Sequence, residues 1–145
     1  MTQLEHQLQS ACVRWFRYAH PDLALCLFAV PNGGKRDTTT ASKLKKEGQT
    51  AGVADLLLLA PSYDGKYHAL CIEMKTTKKG SRQRDSQKEW QKAVENTGNR
   101  YAICRTFDEF QTAIADHLGS WKADGIKKPS TTHDIIDTLA KLQGK

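Results

Sequence analysis

The sequence lacks the features that mark secreted, membrane-spanning and zinc-stabilised proteins. Its 145 residues hold no signal-like segment at the start and no apolar run near the ~20 residues that cross a bilayer. No C-x-x-C is present, and the five histidines complete no usual zinc spacing. We therefore expect a cytoplasmic protein without a membrane partner, whose four cysteines are buried free thiols: Cys12, Cys26, Cys71 and Cys104.

The sequence is also short and shows neither an internal repeat nor a low-complexity tract, which favours one domain with a real core. Lysine and arginine number 22 against 16 aspartate and glutamate, so the formal net charge is +6 and the pI is near 9.2. This balance suits a polyanionic partner but is also common among ordinary basic proteins. The charge alone therefore does not identify nucleic acid as the partner.

Hydrophobic periodicity predicts alternating helices and strands. Thr2 with Glu5, and Thr106 with Glu109, fit capping boxes at the start of the first and last helices of the domain. The expected order begins with a helix up to His20, a strand over residues 23–30 and a threonine-capped helix ended by Gly48. Strands over residues 53–60 and 67–75 follow. The last three elements are a helix with Gln87, Trp90 and Val94 on one face and ended by Gly98, a strand in YAICRTF, and a final helix. This order predicts an α/β sandwich around a small mixed sheet.

The composition changes after Gly119. We expect residues 1–119 to form the domain and residues 120–145 to form a linker and one last amphipathic helix, with Ile135, Leu139 and Leu142 on its apolar face. That face needs a partner, which is either its own domain or a second subunit.

The stretch GVADLLLLAPSYDGKYHALCIEMKT places charged residues where a sheet core would hold valine or isoleucine. Strand alternation points Glu73 and Lys75 to the same side. If the two apolar runs pair as a hairpin about PSYDGK, Asp55 lies opposite a residue between 72 and 74, with Glu73 in the middle. Two carboxylates and an ammonium group then meet at one end of the sheet.

Two like charges side by side destabilise a sheet unless something positive lies between them. Hard oxygen ligands without histidine or cysteine favour Mg²⁺, with Mn²⁺ as an alternative cation. We expect Asp55, Glu73 and the backbone carbonyl of Met74 to bind the ion. Lys75 would orient or deprotonate a water, or stabilise charge on a phosphate. Singly, each residue also has an ordinary explanation: Asp55 as a turn cap, and Glu73 with Lys75 as a surface ion pair.

Asp55 followed by Glu73-Met74-Lys75 resembles the PD-(D/E)XK nuclease signature, in a core of restriction-endonuclease type. More narrowly, the blocks PNGGKR, GVADLLLL, IEMKT and SQKEW, in that order, resemble the VRR-NUC family of virus-type replication and repair nucleases over about residues 5–118. The resemblance implies that Asp55 and Glu73 bind metal and that Lys75 is the catalytic lysine. It also implies that Gln87 reaches the water or the lysine.

Three further positions bear on this resemblance. Glu5 resembles the first-helix acid that often completes such a site and binds its metal, yet its capping-box position explains it equally well. Gln83 competes with Gln87, although helix phase and the block QKEW favour Gln87. Ala54 stands where the signature usually has proline, a residue that shapes the strand entry and supplies no ligand.

Loop and basic residues are expected to contact DNA. The amides and cations of PNGGKR suit a loop that approaches a phosphate, although a plain turn explains them as well. The basic segment after Lys75 would elsewhere be a solvated charge run, but beside such a site it suits a track for the DNA backbone. The expected DNA-binding residues are Asn32, Gly33, Gly34, Lys35, Arg36, Lys78, Lys79, Arg82, Arg84 and Lys88.

Together these features predict a Mg²⁺-dependent endonuclease that hydrolyses DNA phosphodiesters. Small members of the family resemble structure-selective enzymes of phage origin, which implies a homodimeric four-way (Holliday) junction resolvase acting on branched DNA. Such a protein would come from a phage or prophage in a bacterial host, or associate with the host nucleoid. The alternatives are a flap or nicking nuclease, an RNA-processing nuclease, and a non-catalytic DNA-binding protein that keeps the fold.

Overall fold

The computed structural model of the protein describes residues 1–31 and 37–119. The loop expected to approach DNA, Asn32 to Arg36, lies outside the described residues. So do the linker and helix expected over residues 120–145. These predictions therefore stay predictions.

The described chain follows the expected order of elements, with one short helix added. The elements are α1 (Gln3–Ala19), a 3-10 helix (Pro21–Cys26), β1 (Leu27–Ala29), α2 (Thr38–Lys46), β2 (Leu56–Leu58), β3 (Leu70–Met74), α3 (Asp85–Asn96), β4 (Arg100–Cys104) and α4 (Phe107–Leu118). α1 begins with the expected capping box: the Thr2 hydroxyl accepts from the Glu5 N–H at 3.2 Å, and the Glu5 carboxylate accepts from the Thr2 N–H at 3.1 Å.

The strand expected over residues 23–30 is wrong for its first half, which is the 3-10 helix. A continuous apolar run does not distinguish a strand from a helical segment, and Pro21 presets φ for a helical turn. The turn buries Leu23 while Leu25 faces solvent. The chain thereby leaves α1 and enters the sheet at its edge.

Four elements also differ from expectation in the details of their ends. α2 is capped by Asp37, whose carboxylate accepts from the Thr40 N–H at 2.7 Å, and not by a threonine. β2 and β3 are shorter than the runs over residues 53–60 and 67–75. Thr106 caps α4 as expected, but the Glu109 carboxylate accepts from the Arg105 N–H at 2.6 Å, so the second capping box is incomplete.

The four strands form one mixed sheet in the order β1-β2-β3-β4. β1 and β3 both run antiparallel to β2, and β4 runs parallel to β3. The parallel connection passes through α3, which packs against β4. The predicted small mixed sheet is therefore confirmed.

The apolar core lies between one face of this sheet and the pair α1 and α4, which pack against each other. Its fully buried side chains include Cys12, Phe16, Leu56, Leu58, Leu70, Ile72, Met74, Phe110 and Ile114. Cys12, Cys71 and Cys104 are buried free thiols whose pKa burial raises to about 11 or 12, whereas Cys26 is only half-buried. Among the described residues, no helix is long and apolar enough to cross a membrane.

Candidate active site

The hairpin register brings Asp55 and Glu73 together. Leu56 pairs with Ile72, so the next position places Asp55 opposite Glu73, as the symmetry of the turn predicts. The Asp55 Oδ2 accepts a hydrogen bond from the Met74 N–H at 2.7 Å, and the Asp55 carbonyl accepts from the Val30 N–H at 2.9 Å. Asp55 is thus fixed by both neighbouring strands at the end of the sheet.

Glu73 is a buried carboxylate with one engaged oxygen and one unengaged oxygen. Only 2% of the residue is exposed. Its Oε1 accepts from the Gln87 Nε2 at 2.6 Å and lies 3.6 Å from the Lys75 Nζ. Its Oε2 is buried and has no hydrogen-bond partner among the described residues. A buried carboxylate oxygen left without a donor is costly, so this atom is the natural place for a cation.

The two carboxyl groups interact directly, and their proximity alters their proton affinity. Burial raises the pKa of Asp55, an effect that the Met74 N–H and the Lys75 ammonium partly oppose. Burial, followed by the charge of Asp55, raises the pKa of Glu73 to about 7, against the opposing effect of Lys75. Both raised pKa values indicate that Asp55 and Glu73 are unfavourable as a doubly ionised pair unless further positive charge is present.

The donor set fits a hard divalent cation that keeps most of its waters. Within residues 1–31 and 37–119, no group of three or more His, Cys, Asp or Glu side chains could hold a metal ion by itself. Two adjacent carboxylates with one free oxygen suit Mg²⁺, which usually takes only one or two carboxylates from a protein. The same set excludes the closed ligand shells of structural zinc. The part expected of the Met74 carbonyl stays a prediction.

Lys75 is held beside the acids by the sheet itself. Its backbone N–H donates to the Cys104 carbonyl at 3.0 Å, which extends the β3–β4 pairing past Met74. Its side chain is only 11% exposed, so the ammonium is confined to the neighbourhood of Glu73. A buried ammonium next to two carboxylates can hold a water or a phosphate oxygen in place.

Gln87 connects Glu73 to the start of α3. Its Oε1 accepts from the Arg84 N–H at 2.8 Å while its Nε2 donates to Glu73. The competing residue, Gln83, donates instead to the Gln91 side chain at 2.7 Å and to the Tyr101 hydroxyl at 3.3 Å. The geometry therefore favours Gln87 over Gln83 as the glutamine next to the acids.

Gly52 is a residue whose part in the site the sequence reasoning missed. It has φ +81°, and a Cβ there would lie 2.1 Å from the Ser86 carbonyl oxygen and 2.8 Å from the Gln87 nitrogen. The segment that carries Asp55 therefore touches the backbone of the first turn of α3, which carries Gln87. Only glycine allows this approach. A glycine three residues before a candidate ligand was the available signal.

Glu5 has the capping part that was considered for it and lies near enough to Asp55 to affect its pKa. Its carboxylate caps α1, and its charge raises the pKa of Asp55, which places it within electrostatic range of the acid pair. It does not join Asp55 and Glu73 in a three-acid cluster, within the part of the chain that the structure describes. Metal binding by Glu5 stays a prediction.

The basic residues expected to contact DNA that the structure describes are all exposed: Lys78, Lys79, Arg82, Arg84 and Lys88. They lie on the loop between β3 and α3 and on the first turn of α3, directly after Lys75. Lys88 lies 3.9 Å from the Asp85 carboxylate, an exposed pair of little strength. Their contact with DNA stays a prediction.

A comparison with protein families identifies the kind of domain that contains these acids. The model of the VRR-NUC domain matches residues 4–108. The chain belongs to the VRR-NUC family. This family is one of nucleases, typically metal-dependent and acting on DNA, so the acid pair of this member belongs to a nuclease domain.

A solved structure described as a VRR_NUC domain protein shares the fold. Its TM-score to this chain is 0.69 with 22% identity, and the alignment covers 88% of this chain and 98% of that one. The four-stranded sheet with its flanking helices is therefore the VRR-NUC fold. No curated protein matches the chain at a significant level.

Proposed function

We propose that the protein is a Mg²⁺-dependent endonuclease that cuts branched DNA, with the four-way junction as its substrate. The observation that carries the proposal is the buried pair Asp55–Glu73 with one unpartnered oxygen, next to the buried ammonium of Lys75. Residues 1–119 would form the nuclease domain, and residues 120–145 would form an extension that contributes to a dimer.

The side chains divide the work of hydrolysis among them. Asp55 and Glu73 would hold Mg²⁺ or Mn²⁺, which when bound would acidify a water and neutralise charge on the phosphate. Lys75 would orient the attacking water and hold a phosphate oxygen as charge develops on it. Gln87 donates to the Glu73 Oε1, which would leave Oε2 available to bind the ion. No nucleophilic side chain is needed, and the phosphodiester is cut without a covalent intermediate.

The exposed cations after Lys75 would bind the phosphates on either side of the cut. Such contacts position the backbone and carry no base specificity, which suits an enzyme that recognises DNA shape. Two symmetric cuts in a four-way junction require two active sites, so we propose a homodimer as the active form.

A cleavage panel tests this function. Labelled four-way junction, flap, fork and linear duplex are incubated with the protein in Mg²⁺ or in EDTA, beside the variants Lys75→Met and Lys66→Ala. We expect paired junction cuts in Mg²⁺ only, at least about 100-fold slower for Lys75→Met because its apolar isostere keeps the packing and loses the charge. Lys66 is exposed in the hairpin turn, so its variant should cut like the wild type.

Each part of the proposed function has a result that would contradict it, from the cleavage panel or from measurements of DNA binding and of mass in solution. No cleavage of any DNA in Mg²⁺, together with retained DNA binding, would indicate the non-catalytic DNA-binding protein. Preference for the flap, or a mass of one chain in solution, would replace the resolvase by a flap or nicking nuclease. Equal cleavage rates for Lys75→Met and the wild type would show that Lys75 has no part in catalysis.

A further inference from the structure

Arg105 makes an unusual set of contacts immediately after β4. Its Nη1 donates to two backbone carbonyls, those of Thr76 and Ser81, at 2.8 Å each. These carbonyls stand at the two ends of the segment 76–81, which follows Lys75 directly. One guanidinium nitrogen thus joins the start and the end of this loop.

The loop 76–81 is further closed by its own bonds. The Ser81 hydroxyl accepts from the Thr76 N–H at 3.3 Å, and the Ser81 N–H donates to the Lys78 carbonyl at 3.1 Å. Thr76 is buried, whereas Lys78 and Lys79 are exposed at the tip. The two ends of the loop are therefore held together by hydrogen bonds, and its tip carries two exposed cations.

Arg105 is itself anchored. Its backbone N–H donates to the Glu109 carboxylate at 2.6 Å, which belongs to the first turn of α4. Its side chain is half-buried, and its bonds span 29 and 24 residues of sequence. Lys75 does not depend on these bonds, because its own N–H is paired with the Cys104 carbonyl.

We infer that Arg105 is a positioning residue that holds the loop 76–81 closed, so that Lys78 and Lys79 are presented to the phosphates of DNA bound at the acid pair. A guanidinium bonded to backbone carbonyls orders chain that would otherwise lose entropy on binding DNA. The inference rests on the proposed function for the DNA, and on the observed bonds for the loop. Arg105 acts through the two lysines and does not itself contact the phosphates.

The test uses Arg105→Gln with Arg100→Gln as its matched control. Both variants lose one positive charge at β4, but Arg100 is at the other end of the strand, with its guanidinium 4.5 Å from the centre of the Tyr67 ring. Binding of a fluorescein-labelled four-way junction is measured in EDTA over a range of salt concentrations. We expect Arg105→Gln to bind about tenfold more weakly near 0.1 M salt, with a salt slope smaller by about 1 to 2, since two phosphate contacts are lost. Arg100→Gln should change affinity less than about twofold.

A double-mutant cycle decides how Arg105 acts. The pair Lys78→Gln/Lys79→Gln should reproduce the loss seen for Arg105→Gln, and adding Arg105→Gln to that pair should change nothing further. In Mg²⁺, the KM for junction DNA should rise for Arg105→Gln while kcat stays within about twofold, because Lys75 is held by β3 and β4. An additive cycle would show that Arg105 contacts DNA directly and would overturn the inference.

Trypsin provides a readout that needs no DNA. Cleavage after Lys78, Lys79 or Arg82, identified by mass spectrometry, should be faster in Arg105→Gln than in Arg100→Gln because the loop opens. Equal cleavage rates, or equal DNA binding by the two variants, would overturn the inference while leaving the nuclease proposal intact. A wild-type protein that binds no DNA would overturn both.

Discussion

At the scale of single residues, the free energy of the site depends on two neighbouring acids and one ammonium group. When all three groups are ionised in the metal-free protein, their net charge is −1, and burial makes that excess negative charge costly. A stable fold would not select this arrangement for itself. Under the proposed function, a bound cation would supply the missing positive charge, as at other active sites whose residues destabilise the fold.

Asp55→Asn should therefore stabilise the metal-free protein at pH 8 while abolishing cleavage. The asparagine oxygen can still accept from the Met74 N–H, and the repulsion on Glu73 disappears. Thermal unfolding in EDTA should show a gain of about 1 kcal/mol, or roughly 3–5 °C. The control is Asp22→Asn, an exposed carboxylate of the 3-10 helix.

The same variant carries a pH dependence whose sign follows from Glu73. Its pKa is raised from 4.5 to about 7 on folding, so the folded state holds the extra proton between these values. Because the folded state binds this proton more tightly than the unfolded state, Glu73 contributes to the free energy of unfolding. This contribution is fully present below pH 4.5 and is lost as the pH rises through 7. The advantage of Asp55→Asn should accordingly shrink at pH 5, where Glu73 is already protonated. If Asp55→Asn raised the free energy of unfolding equally at pH 8 and pH 5, repulsion between Asp55 and Glu73 could not be the cause of the gain.

At the scale of elements, Gly52 joins the β2 segment to the first turn of α3. Gly52→Ala would drive a methyl group into the Ser86 carbonyl, separating Asp55 from Gln87. We expect a loss of about 2 kcal/mol or more in the free energy of unfolding, with a fall in cleavage rate. Gly48→Ala is the control, since Gly48 also has a positive φ, +105°, but nothing within 4 Å of the added Cβ. If both variants lost the same free energy of unfolding, the positive φ would explain the loss and the contact with Ser86 would not.

Elements with a local signal could be predicted from the sequence, and contacts between distant segments could not. The pairing of Asp55 with Glu73 was predictable because a symmetric hairpin fixes its own register. The capping box of α1 was predictable from Thr2 and Glu5. In contrast, the 3-10 helix after Pro21 competes with a strand for the same apolar run, and periodicity does not separate the two.

The missed contacts involve backbone atoms that are far apart along the chain. Gly52 meets the Ser86 carbonyl only because α3 returns across the sheet, and Arg105 reaches Thr76 only because β4 pairs with β3. Backbone carbonyls are present at every residue, so side-chain patterns carry no signal for which of them will be used.

At the scale of the whole molecule, the sheet divides the protein into two functional sides. One face, with Ile72 and Met74, lies against α1 and α4 and forms the apolar core. The other, with Glu73, is covered by α3, which supplies Gln87. The packed core on the first face thus supports an acid pair that is itself destabilising, and the exposed cations follow Lys75 on the segment that leads into α3.

The most direct test of the central claim is a calorimetric titration of the metal-free protein with Mn²⁺ at pH 8, for the wild type, Asp55→Asn and Asp22→Asn. The account predicts binding by the wild type and Asp22→Asn, and affinity at least about tenfold weaker for Asp55→Asn, because one of two shared carboxylates is lost. Absence of binding to the wild type, or equal affinity for all three proteins, would contradict the claim that Asp55 and Glu73 hold one cation between them.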